Sequence, residues 1–162
     1  MKNIISILAW LSLALSLQNC ATIVGGSKYN AHVLIKDHPQ ATISYKGEFK
    51  GTGGATIQAK RKEANKFSIT VAEKGCAEQT VNFSSRSFRG GAFVGTVIGW
   101  SGLLSGIPLP WGAAVDLMTG SLWKPDVNEP GVSKTDYKNY TYLINYTGCA
   151  QIDARKEPAK VQ

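Results

Sequence analysis

Histidine is almost missing from this chain, which has two, His32 and His38, in 162 residues. That scarcity leaves no imidazole-rich metal centre and little material for a base-activated nucleophile. The run-together motifs of common hydrolases and nucleotide enzymes are absent too: there is no Gly-x-Ser-x-Gly, no His-Glu-x-x-His and no Gly-x-x-x-x-Gly-Lys-Ser/Thr. Acidic residues number 11 and are scattered, so no carboxylate pair stands out as an acid/base couple. His32 lies in a strand pattern and His38 in a proline turn, positions where imidazoles serve structure. The expectation is a protein without catalytic residues, cofactor or metal ligands, and not an enzyme.

Charge is uneven as well. Residues 90–115 carry no charged side chain at all, although the chain as a whole has a formal charge of +7. The densest basic run, Lys60, Arg61 and Lys62, is followed at once by Glu63 and has no aromatic platform beside it. It reads as a solvated turn and not as a nucleic-acid surface.

What is present begins at the N-terminus. Lys2 precedes an apolar stretch at 4–17, broken only by serines, and Leu17, Gln18 and Asn19 then lead to Cys20. This is the pattern of a signal peptide over 1–19, too short for a stable membrane span. A cysteine directly after the apolar stretch is the acceptor position of a bacterial lipoprotein. Asn19 stands where a small residue is usual, so the competing reading is ordinary secretion with Cys20 as a plain thiol. Acyl chains on Cys20 would each contribute about 0.8 kcal/mol per buried CH₂ and hold the chain on a bilayer. Ala21, where inner-membrane lipoproteins place Asp, points to the periplasmic side of an outer membrane in a Gram-negative host.

About 140 residues would remain after processing, enough for one modest core. Residues 20–28 read as lipid anchor and tether. From Tyr29 the pattern turns to period two: 29–36, 41–46, 55–60, 67–73 and 79–84 are rich in β-branched and aromatic residues, with Pro, Gly and Asn signals between them. The cleanest late strand is 139–147. The resulting fold class is mainly β: a small antiparallel β-sandwich over 29–149, with an apolar helical hairpin inserted at about 88–124 and a disordered tail at 150–162. Cys76 and Cys149, each after a glycine at a strand edge, form an even pair. Either they make a disulfide in an oxidising compartment or they are two free thiols.

The inserted hairpin has a glycine stripe, Gly91, Gly95 and Gly99, that would let another backbone approach closely. A helix over 91–106 would rise about 24 Å, short of the roughly 30 Å apolar layer of a bilayer. Pro108 and Pro110 interrupt the segment. The hairpin could pack on the sheet, lie in the lipid interface with Trp100, Trp111 and Trp123 as anchors, or mediate self-association.

Four stretches in one order carry a resemblance. They are Cys20 to Val24 in sequence (Cys-Ala-Thr-Ile-Val), Pro39-Gln40-Ala41-Thr42-Ile43, Gly47-x-x-x-Gly51-Thr52, and Asp116-x-x-Thr119-Gly120-x-x-Trp123-Lys124. Together they resemble a group of small bacterial lipoproteins built around a PEGA-type β domain. In that group a glycine-rich apolar segment and the D-x-x-T-G-x-x-[WY]-K element precede the last strand. The name-giving Pro-Glu-Gly-Ala run is represented here by the shorter Pro39-Gln40-Ala41. The resemblance implies a compact β-sandwich on a lipid anchor and implies no catalytic activity.

Asp116 is the acid at the edge of the long apolar region. Asp-Leu-Met-Thr-Gly differs from the Asp-Thr-Gly of aspartic proteases by two inserted residues and has no second copy. Asp116 is therefore expected to bond backbone amides or Thr119 and, with Thr119 and Gly120, to anchor the hairpin base. The combined expectation is a lipid-anchored cell-envelope protein that offers a binding or scaffolding surface. The alternative is a membrane-active or self-associating protein driven by the glycine-rich hairpin. Partners would be the membrane through the N-terminal lipid, and other envelope proteins or cell-wall polymer, with no nucleic acid. The sequence does not fix the oligomeric state.

Overall fold

A computed structural model describes residues 26–101 and 116–150, with side chains placed up to Thr96 in the first of these. The expected leader, Cys20, most of the tether, the Pro108–Pro110 turn with Trp111 and nearly all of the tail lie outside the described residues.

The fold is mainly β. Strand β1 (Lys28–Lys36) alternates cleanly, burying Tyr29, Ala31, Val33 and Ile35 on one face. It pairs antiparallel with β4 (Gly54–Lys60) and parallel with β10 (Asn139–Asn145), which pairs in turn with the short β9 (Val132–Lys134). The second four-stranded sheet has the order β3 (Glu48–Thr52), β2 (Thr42–Tyr45), β5 (Phe67–Ala72), β6 (Gln79–Phe83), antiparallel throughout. A two-stranded ribbon joins β7 (Arg86–Phe88) to β8 (Trp123–Pro125). Parallel pairing of β1 with β10 needs a long crossover, and here the whole second sheet lies within it.

Both four-stranded sheets turn their apolar faces to one core. Phe67 of the second sheet lies 4.7 Å from Tyr142 and 6.3 Å from Tyr29 of the first, ring centre to ring centre. Phe83 meets Tyr142 edge-on at 4.7 Å. The Tyr29 and Tyr142 hydroxyls share a buried hydrogen bond of 3.2 Å, so the aromatic core hides no unmatched hydroxyl there. Burial pushes both phenol groups well above the usual tyrosine range.

Register gives the body two ends. One end holds the start of β1, the end of β4, a 3-10 helix at Arg61–Lys66, the start of β5 and the β7–β8 ribbon. The other holds the end of β1, the start of β2, the end of β5 and the end of β10. At about 3.3 Å per residue, β1 alone separates them by roughly 26 Å. From the first end leaves the helix α1 (Gly90–Ser101), the one arm of the expected hairpin that falls mostly within the described residues. A helical turn at 116–119 precedes β8, and the rest of the expected hairpin lies outside the described residues.

The Lys60, Arg61 and Lys62 run is not wholly solvated. Arg61 is completely buried: its Nε donates to the Gly26 carbonyl at 3.1 Å and its Nη2 to the Tyr137 carbonyl at 2.8 Å. The Arg61 backbone N–H also donates to the Ser27 carbonyl. The guanidinium thereby binds the approach of the N-terminal segment to the body. Lys60 and Lys62 point to solvent.

Candidate functional site

The two ends carry different chemistry. At the first end Asp116 is 2% exposed, and its carboxylate accepts hydrogen bonds from Thr96 Oγ1 and Ser121 Oγ, each at 2.8 Å. Thr96 belongs to α1, so this acid ties the helix to the 116–121 turn. Thr119 Oγ1 instead donates to the Asp116 backbone carbonyl at 3.3 Å. Gly120 follows at φ +75°, and a Cβ there would stand 2.3 Å from Lys62 Cβ and 2.9 Å from Lys62 Cα. Only glycine allows the turn to seat on the 3-10 helix in this conformation. Three residues on, the Trp123 ring is covered by the Arg86 guanidinium at 4.1 Å, while Arg86 Nη1 donates to the Lys62 carbonyl. Arg89 donates to the Ser121 carbonyl at 2.8 Å; desolvation and the nearby Arg61 charge lower its pKa.

The D-x-x-T-G-x-x-[WY]-K element thus forms one connected clasp between α1, the ribbon and the 3-10 helix. Replacing Asp116 with alanine would remove the carboxylate that joins Thr96 to Ser121, leaving those hydroxyls only the Ala92 carbonyl and a long contact to the carbonyl of residue 116, and is expected to cost about 1 kcal/mol of stability. The transition midpoint in an equilibrium urea titration of the variant checks this, and an unchanged midpoint would remove the anchoring role.

Beside the clasp the surface is apolar. Val94 is 51% exposed, Leu117 55% and Met118 81%, with Lys62 and Arg86 also on the surface nearby. Among the described residues, nothing beyond the helix's own adjacent backbone and the flanking residues comes within 4 Å of where a Cβ of Gly91 or Gly95 would stand. No described residue covers the stripe at those two positions; Gly99 lies on α1 but beyond its described side chains. Among the described residues no helix is long and apolar enough to cross a membrane.

At the second end Cys76 and Cys149 are joined in a disulfide spanning 73 positions of sequence. Against it stand two residues that sequence reasoning did not connect with the cysteines. His38, in the turn after β1, donates from its ring N–H to the Glu73 carboxylate at 2.7 Å, and Glu73 directly follows β5. Cys149 Sγ lies 3.9 Å from His38 Nδ1 and 3.5 Å from Glu73 Oε2. The Tyr146 ring meets the imidazole edge-on at 5.0 Å and is itself held by a hydroxyl bond of 2.6 Å to the Ala77 carbonyl. The available signal was positional: His38, Glu73 and Cys149 each follow the C-terminal end of a strand, and the register sends those three ends to one place. His32 stays on the outward face of β1, bonded to Thr56 and Asn139.

Comparison with known proteins finds no matching family model, no matching curated protein and no matching solved structure.

Proposed function

We propose that this chain is a lipid-anchored protein of the bacterial cell envelope, with a small β-sandwich as its body and a binding or scaffolding role in place of catalysis. The observation that carries the reading is the shared location of two features. Arg61 holds Gly26 at the same end of the body from which the uncharged helix α1 leaves and where Val94, Leu117 and Met118 are exposed. Cys20 is six positions before Gly26, a reach of at most about 20 Å. An acyl group there and the apolar surface would therefore meet the same bilayer. Two sheets sharing one aromatic core support the sandwich description. The opposite end, with its disulfide, would face away from the lipid toward other envelope proteins or cell-wall polymer.

Metabolic labelling of a Gram-negative host with an alkyne palmitate analogue tests the anchor. The native chain is expected to take up label and sediment with membranes, whereas Cys20→Ser is expected to lose the label and at least about ten-fold of its membrane association. An unlabelled, freely soluble native chain would overturn the proposal. A second reading, self-association through the hairpin, is favoured by the flank at Gly91 and Gly95, which no described residue covers. Crosslinked dimers that vanish in Gly95→Leu would select it.

A further inference from the structure

The end opposite the clasp holds three metal-binding side chains on one spot, His38, Glu73 and Cys149, with Cys76 bonded to the last of them. We propose that it is a zinc site masked by the disulfide: when the Cys76–Cys149 bond is reduced, both sulfurs, His38 Nδ1 and Glu73 Oε2 close around one Zn²⁺. The inference does not depend on how the chain is anchored.

The geometry is close to that of a bound ion already. Zinc holds sulfur at about 2.3 Å and nitrogen or oxygen at about 2.0–2.2 Å, so tetrahedral donors stand roughly 3.3–3.8 Å apart. The Cys149–Glu73 separation is 3.5 Å and the Cys149–His38 separation 3.9 Å. The three donor atoms of His38, Glu73 and Cys149 lie within 4.8 Å of one another. His38 and Glu73, at 2.7 Å, need open by only about half an ångström. Cys76 and Cys149 are bonded, and cleaving that bond drives the sulfurs apart toward non-bonded contact, the direction the ion requires. Two thiolates, an imidazole and a carboxylate form a borderline-soft donor set suited to zinc. Tyr146, locked by its bond to Ala77, sets the plane of the His38 ring, as outer residues do around bound metals. All four donors are partly exposed, so an ion can enter without unfolding the body.

The two states exclude each other. Disulfide sulfurs are poor ligands, and thiolates held by zinc resist oxidation. A dithiol reductant passes two electrons and two protons to the Cys76–Cys149 bond, becoming a disulfide itself. Each resulting thiol gives up its proton as its sulfur binds the metal, and the His38 proton moves from Nδ1 to Nε2.

The test uses the full chain in detergent, with Co²⁺ as a coloured probe and Zn²⁺ as its competitor. Oxidised protein is expected to show no sulfur-to-cobalt absorption. After reduction by a thiol-free phosphine, one equivalent of Co²⁺ is expected to give tetrahedral bands that Zn²⁺ abolishes. Cys76→Ser, which cannot form the disulfide, is expected to keep tetrahedral bands with about half the charge-transfer intensity. His38→Ala and Glu73→Gln are each expected to weaken zinc binding at least about ten-fold. Equal binding by oxidised and reduced protein would overturn the proposal. So would affinity unchanged in both His38→Ala and Glu73→Gln, which would mean capture by thiols alone. A reduced chain that binds no metal, whether circular dichroism shows it folded or unfolded, would overturn it equally.

Discussion

Replacing Cys149 with serine is expected to lower the folding stability by about 4 kcal/mol and the melting temperature by something on the order of 15 °C. The size follows from the length of chain the bond closes. Cys76 lies in the β5–β6 connection and Cys149 just past β10, with 73 positions between them. In the unfolded chain that crosslink removes a large set of open conformations, and the saving grows with the logarithm of loop length. The bond also joins the two sheets, since β5 and β6 belong to one and β10 to the other. Calorimetry of the native chain and Cys149→Ser, both at neutral pH, checks the figure. A shift of only a degree or two would mean that β10 is held by its ladder with β1 alone and that the unfolded chain is already compact.

Raising the pH past 10 is expected to unfold the protein steeply. Tyr29 and Tyr142 are both about 1% exposed and stand on neighbouring strands of the first sheet, their hydroxyls joined inside the core. Desolvation lifts both pKa values, and for Tyr142 the neighbouring Tyr29 adds to the rise. In the unfolded chain each phenol titrates near 10. Below that pH both states hold the same protons and the pair adds no pH dependence. Above it the unfolded chain releases protons that the folded chain retains, so stability falls with rising pH. The slope is a little over 1 kcal/mol per pH unit for each tyrosine, roughly 2–3 for the two. Urea midpoints measured from pH 8 to 12 should therefore be flat at first and then drop. Tyr142→Phe should halve the drop while costing about 1 kcal/mol at neutral pH, because the Tyr29 hydroxyl loses its partner. Ionisation of both phenols near pH 10 in a chain that remains folded would refute the buried pair.

The strands legible in the sequence are those whose surroundings are two-faced. β1, β5 and β10 show apolar and polar residues in alternation because one side of each meets the core and the other meets water. β3 gives no such sign. It is an edge strand with Phe49 64% exposed and with Gly51 within it, and it is folded onto β2 by the Lys46-Gly47 turn, where both residues have positive φ. The turn itself is readable, since a two-residue connection of this kind matches the twist of the strands it joins. The three-residue strands β7, β8 and β9 are too short to carry any periodicity.

Pairing is harder to read than strand content. Nothing local to β1 says that its neighbour is β10, or that the two run parallel, because that choice is made by the shared core and not by either segment. The same holds for the side-chain clusters. Arg61 looks like part of a charged turn until the approach of Gly26 and the Tyr137 carbonyl surround it. His38 and Glu73 are 35 positions apart and meet only because two strand ends coincide. Asp116, by contrast, stands out by being the first charge after a long uncharged stretch, and its environment is buried as that contrast suggests.

One of the two inner places of the first sheet is filled by the last of the described strands. Until β10 emerges, β1 has β4 on one flank and raw backbone donors and acceptors on the other, for a span of 109 positions between Asn30 and its partner Asn139. A ribosome delivering this polypeptide from its N-terminus would thus release a half-built sheet with a sticky edge, able to pair with any stray extended segment. Completion by so distant a strand makes folding slow for the chain's size. Losing even the final few residues of β10 to a nonsense codon or a protease would leave that edge open for good.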